Sequence, residues 1–196
     1  MPRIVETIVT TAAADGVAHI APLGLIADGP HWIIAPFKPS KTLDNLRANL
    51  VACASHTDDV RVFAGCVTGR KVWPLTDATT IKGGRLASCV AHWELRVVRV
   101  IEDKLRPRFV CEITHRESHE SWEGFNRAQA AVLELAVLTT RLHMLSPEKV
   151  EAELKYLEIA ISKTAGHREQ EAWGWLIEKI AAWRTTLPST PRNTPS

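Results

Sequence analysis

The chain has 196 residues, 45% of them hydrophobic, and its 24 Lys+Arg against 22 Asp+Glu leave a formal net charge of +2. That balance gives no bulk electrostatic case for a nucleic-acid-binding or membrane-surface protein, while the length suffices for a sizeable buried core. No apolar run reaches the length of a membrane span and none opens the chain as a signal peptide would, so a cytoplasmic protein is expected. Cys53, Cys66, Cys89 and Cys111 lie far apart with no Cys-x-x-Cys pair. This spacing argues for reduced, buried thiols and against a disulfide framework or a metal knuckle.

In chain order, residues 4–11 read as a strand, Asp15-Gly16 as a tight turn and residues 17–24 as the returning strand. A third strand runs over 32–35. Pro36 and Pro39 then break it, and Leu43, Leu46 and Leu50 recur at helical spacing, so a helix is expected to start near Ser40. Its unpaired first amides and its dipole favour negative charge, and Ser40, Lys41 and Thr42 add side-chain donors, which makes the turn a candidate anion seat. Ser40 is equally suited to plain helix capping. Residues 50–54, 60–67, 87–101 and 109–114 read as further strands, with 73–85, carrying Pro74, Gly83 and Gly84, as a long loop.

From Asn126 the period becomes helical. Ala128, Ala131, Val132, Leu135, Leu138, Thr139 and Leu142 form one apolar stripe; Val150, Leu154, Leu157 and Ile161 form a second after Ser146-Pro147; Ala172, Trp175, Leu176, Ile180 and Trp183 form a third. Asn126 with Gln129 matches a capping box, and Gly166 reads as a helix-terminating glycine after Lys163-Thr164. Each stripe needs a partner surface, so an α+β architecture with segregated layers is predicted. It divides into a barrel part over 1–120, a three-helix part over 121–185 packed on the barrel or on a dimer partner, and a disordered tail over 186–196.

His115 and His119 have a spacing that would place both rings on one helical face, but the apolar stripe of such a helix is missing, and no metal site is expected. No catalytic triad or paired carboxylates can be assembled from spacing, and no Gly-x-Gly-x-x-Gly follows a strand. A helical nucleic-acid-binding reading is disfavoured by Glu169, Glu171 and Glu178 on the last helix.

Six blocks carry a resemblance: Glu6-Thr7-Ile8-Val9-Thr10-Thr11; Ala21-Pro22-Leu23-Gly24; Pro36-Phe37-Lys38 with Ser40-Lys41-Thr42 and Asn45-Leu46; Thr57-Asp58-Asp59; Gly124-Phe125-Asn126-Arg127-Ala128; and Lys163-Thr164-Ala165-Gly166. In order and spacing they resemble the FMN-binding split-barrel flavoproteins, the superfamily of flavin reductases, and within it an uncharacterised family catalogued as a domain of unknown function. The resemblance implies a split β-barrel of mostly antiparallel strands that binds FMN, commonly at a homodimer interface. Carried over by position, Lys38, Ser40, Lys41, Thr42 and Asn45 are phosphate and ribityl candidates, and Thr10, Thr11, Pro22, Leu23 and Gly24 are ring-side candidates. Leu23 stands where many relatives have methionine, a volume-conserving change, and Ser55 where asparagine is usual. The implied activity is an FMN-dependent oxidoreductase acting on a small, heterocyclic or pterin-like substrate, or reducing flavin with a nicotinamide donor. No catalytic acid or base is assigned. The alternative is a non-catalytic flavin-binding or flavin-storage protein.

Overall fold

The period-two pattern of the N-terminal segment produces a hairpin of β1 (Ile4–Ala12) and β2 (Ala18–Asp28), with Thr7 opposite Leu23 and Thr11 opposite His19. The computed structural model describes residues 1–187; beyond its first two residues, the expected tail lies outside the described residues. The chain continues through β3 (His31–Ile34), α1 (Lys41–Asn49), β4 (Val51–His56) and α2 (Val60–Thr68). A short hairpin, β5 (Leu75–Asp77) and β6 (Gly84–Leu86), precedes the two long strands β7 (Ala91–Ile101) and β8 (Arg108–Ser118). Six strands close an antiparallel barrel in the order β1-β2-β3-β8-β7-β4.

Alternation along each strand sends one set of side chains inward and the other outward. Val9, Leu25, Ile34, Ala54, Leu95, Phe109 and Cys111 fill the barrel, and Leu43 and Leu46 of α1 join them, so α1 plugs one end. Each of those leucines contributes on the order of 2 kcal/mol through burial. Inside the plug, Asn45 Nδ2 donates to Thr11 Oγ1 at 3.0 Å, which satisfies two buried polar groups at once. On the outside, pairing brings Pro22, Ile8, Ser55, His92 and Glu117 into one row across β2, β1, β4, β7 and β8.

Residues 60–67 form a helix, not the predicted strand. The segment is apolar on nearly every position, so its period is ambiguous. Its ends decide the matter: Asp59 caps α2 by accepting from Arg61 N at 3.1 Å, and Gly69 closes it in the left-handed region at φ +94. One face of α2 packs through Val62, Phe63 and Cys66 against Ile8 and Ile20 of the barrel and Leu86 of β6. The other, Val60 and Ala64, belongs to the core of the helical layer. The predicted loop over 73–85 holds the β5–β6 hairpin, and β8 runs four residues beyond the expected strand end at Thr114.

The three helical stripes become α3 (Arg127–Thr139), α4 (Pro147–Thr164) and α5 (His167–Arg184). Val132, Leu135, Leu142, Val150, Leu154, Ala172, Leu176 and Ile180 form their shared core. Asn126 Oδ1 caps α3 by accepting from Ala128 N and Gln129 N, a contact of about 1 kcal/mol. The box is not reciprocal, because Gln129 Nε2 turns to Glu169. Gly166 does not end α4 in the left-handed region; it is extended, at φ −85 and ψ −171, and caps α5, whose Glu169 accepts from Gly166 N at 2.9 Å. All four cysteines are free and buried. Burial pushes the Cys53 and Cys111 thiols up to about 12, so both stay protonated. No helix among the described residues is long and apolar enough to cross a membrane.

Candidate functional site

The turn after β3 builds the anion seat from backbone outward. Ser40 is extended and caps α1, its Oγ accepting from Leu43 N at 3.3 Å, which leaves its hydroxyl proton free to donate. The amides of Lys41 and Thr42 are the unpaired first-turn donors of α1. His19 of β2 lies beside this end: burial lowers its pKa, and the charges of Lys41 and Lys71 lower it further. Lys41 is exposed, whereas Thr42 and Asn45 are buried. Lys38 does not point its amine into the seat; it donates to Asp103 O at 2.8 Å and pairs with Glu102 at 3.3 Å. Behind the turn, Arg106 donates to Ala35 O at 2.9 Å and stacks 4.4 Å over the Phe37 ring.

Strand alternation separates the ring-side candidates. Leu23 turns inward against the barrel core and Thr11 inward to Asn45, so neither shares a face with Pro22, Gly24 and Thr10. Those three line the outer surface of β1 and β2. Thr10 Oγ1 is buried there with no hydrogen-bond partner. Ser55, on the same outer face, has its hydroxyl committed to accepting from Leu86 N at 3.0 Å, so it anchors β6.

A cavity of about 520 Å³ opens at the Glu6 end of this surface, where Glu6 lies directly opposite Gly24. Its walls bring together blocks far apart in sequence: Glu6 from β1, His56, Thr57 and Asp58 from the β4–α2 turn, and residues 122–126 with Gln129 and Leu133 at the start of α3. Trp122 and Phe125 meet edge-on at 4.8 Å, and Phe125 is 99% exposed. Such aromatic exposure at a cavity mouth is a binding feature rather than a packing one. Gly124, at φ +115, supplies the backbone that a side chain would strain.

Titratable groups in the wall are perturbed. Burial raises the Glu6 pKa, and nearby Glu134 raises it further. Burial and then the neighbouring His92 push His56 down to about 4, and its Nε2 is buried without a partner while its ring meets Trp93 edge-on at 4.4 Å. Asp59, third in its block, is structural, forming a 2.6 Å ion pair with Arg61. Thr164 acts through its backbone, its carbonyl accepting from Asn126 Nδ2 at 3.1 Å. Of these groups, His56 and Trp122 carried no sequence signal. Only the topology places them beside Glu6.

Fold comparison gives a protein from Methanosarcina mazei, MM1853, described as FMN-bound, at 20% identity and TM-score 0.78, covering 91% of this chain and 96% of that one. The flavoredoxin of Methanosarcina acetivorans matches at 22% identity and TM-score 0.51, over 61% of this chain and 69% of its own. The 2-nitrobenzoate 2-nitroreductase NbaA of Pseudomonas fluorescens gives the same identity and TM-score, over 61% and 66%. These likenesses establish the split-barrel fold. Among curated proteins no sequence match was found. The family model of the N-terminal domain of DUF447, a protein family of unknown function, matches residues 5–120, and the companion DUF447 model matches residues 126–178. Barrel and helical layer are both matched, and this chain belongs to the DUF447 family.

Proposed function

We propose that the protein is an FMN-dependent oxidoreductase whose small-molecule substrate enters the cavity walled by Glu6, Asp58, Trp122 and Phe125. The observation that carries this reading is the adjacency of that cavity to the outer face of β2, with the anion seat at the other end of the same strand. The donor set fits FMN: Ser40 hydroxyl, the α1 amides, Lys41 and His19 for the phosphate, with the unpartnered Thr10 hydroxyl, opposite Ile20, near the same end of the strand. Thr42 and Asn45 hold the α1 plug from within, and Lys38 fixes the turn through Glu102 and Asp103. Bound FMN supplies hydride and single-electron chemistry. Glu6, its pKa raised, is the group that can hold or give a proton at its carboxyl oxygen beside the substrate. The aromatic pair supplies apolar contact and excludes water. A nicotinamide donor would enter by the same mouth.

A test fills the cavity without touching the anion seat. Ala130 is an exposed lining residue, so Ala130→Trp occupies the space and leaves the core intact. The expected result is unchanged FMN content with nicotinamide-driven turnover reduced by at least tenfold. Wild-type protein that retains FMN yet never turns over with nicotinamide donors and small electron acceptors would instead establish a flavin carrier.

The same reading includes a homodimer. Phe37, Val100, Ile101 and Leu105 are exposed at the turn end of the barrel, next to the anion seat. Sedimentation is expected to give twice the 21.7 kDa chain mass; a monomer that still holds FMN would remove the dimer from the proposal.

A further inference from the structure

On the far side of the barrel from β2, the β7–β8 pair gathers five metal-competent side chains. His92 and Glu94 of β7 face Glu117 and His115 of β8 in register, and His119 follows where the strand ends. The predicted helical face for His115 and His119 does not exist, because the segment is extended. What brings the groups together is cross-strand pairing. One nitrogen each of His92 and His119 and one carboxylate oxygen of Glu117 lie within 4.8 Å of one another.

We infer that His92 Nδ1, His119 Nε2 and the Glu117 carboxylate form a binding site for a divalent transition metal of the zinc class. Three features support it. First, Glu94 Oε1 lies 3.2 Å from His92 Nε2, and a carboxylate can only accept, so the ring proton sits on Nε2 and Nδ1 offers its lone pair. A carboxylate behind an imidazole in this way is the usual support of a metal-binding histidine. Second, Glu94 itself is immobilised: it accepts from Thr80 N at 2.7 Å, Ile81 N at 3.0 Å, Thr79 N and the Thr80 hydroxyl. Third, His115 Nε2 is buried without a hydrogen-bond partner and lies 3.5 Å from Glu117 Oε2, an unsatisfied nitrogen beside the ligand carboxylate.

His92 Nδ1 and His119 Nε2 are 2.9 Å apart and share a proton, with the rings inclined by only 9°. Two nitrogens on one tetrahedral zinc stand about 3.4 Å apart, so the rings must part by about half an ångström. His119 then takes its other tautomer, its proton moving to Nδ1, and no net charge is lost from the pair. Two imidazoles and one carboxylate leave at least one position for water. Bound there, the ion would tie β7 to β8 and, through Glu94, to the 79–81 segment between β5 and β6.

The experiment uses the full chain, stripped with chelator and dialysed, and titrates zinc by calorimetry, with cobalt absorption as a reporter of nitrogen and oxygen ligation. Wild type is expected to take one equivalent. His119→Ala should lose at least 100-fold in affinity, and Glu94→Gln, which removes no ligand, about 10–100-fold. His119 lies beyond the strand and outside the core, so its loss leaves the circular dichroism spectrum unchanged. Zinc bound no more tightly by wild type than by His119→Ala would overturn the site and leave a purely hydrogen-bonded Glu94–His92–His119 chain.

Discussion

Replacing Ser40 by Asp is expected to leave α1 capped and, at the proposed site, to expel FMN. Aspartate is as good an N-cap as serine, so the Leu43 amide keeps its acceptor and the helix its start. The same carboxylate would confront the phosphate of the proposed cofactor with a like charge in place of the Ser40 hydroxyl. A lost hydrogen bond to a charged group costs about 1.5–3 kcal/mol, and two charges about 4 Å apart near a protein surface repel by about 4 kcal/mol. Together they weaken FMN binding by at least 10³-fold. The double variant Ser40→Ala/Thr42→Ala is expected to lose FMN too, with less repulsion but some loss of stability, since Thr42 is a buried residue of α1. The measurement is visible absorbance of the purified protein, then fluorescence titration with FMN, beside a thermal melt. Normal flavin content in a stably folded Ser40→Asp protein would place the phosphate elsewhere.

Acid is expected to unfold the protein in two windows. His56 has its folded pKa lowered to about 4, below its unfolded value near 6.5. The unfolded chain therefore binds the extra proton first, and the stability His56 contributes is complete above about pH 6.5 and lost as pH falls toward 4. Glu94 follows lower down. Burial alone would raise its pKa, but the Thr80 hydroxyl, the Thr79 and Thr80 amides and His92 outweigh it and hold the carboxyl at about 2. Its contribution is complete above the unfolded value of 4.5 and lost as pH falls through 2. With solvent screening allowed for, each is worth about 2 kcal/mol, a large part of a typical net stability. Urea midpoints at pH 7.5, 5 and 3 should fall in two steps. His56→Phe, which keeps the aromatic contact with Trp93, should flatten the upper step alone. An equal slope in that variant would assign the upper window to another group.

Much of the fold was legible because its signals are local. Alternation in residues 4–11 and 17–24, the Pro36–Pro39 break before Ser40, and the three helical stripes each follow from a few neighbours. The failures share a cause. Segment 60–67 is buried on two sides, so its period carries no sign of which secondary structure it adopts. His115 and His119 were read on a helix because spacing says nothing about the partner strand. At the candidate site, the Ser40 turn could be found from residue types, but the opposed faces of Leu23 and Pro22 required the register. The wall that joins Glu6, Asp58 and Phe125 required the closed barrel and the packing of α3 beside β1.

Helix α2 has apolar neighbours on both sides, the barrel through Phe63 and the helical bundle through Val60 and Ala64. The two family models divide the sequence between residues 120 and 126, but the hydrophobic interior is not divided there. Cutting the chain at that boundary would strip the bundle from α2 and present Val60, Ala64 and Val67 to water. An isolated barrel half would therefore be adhesive, seeking another surface to cover α2. Ligand retention, solubility and the shape of the cavity are bound to the same inheritance: the barrel half and the helical half must be kept, and altered, together.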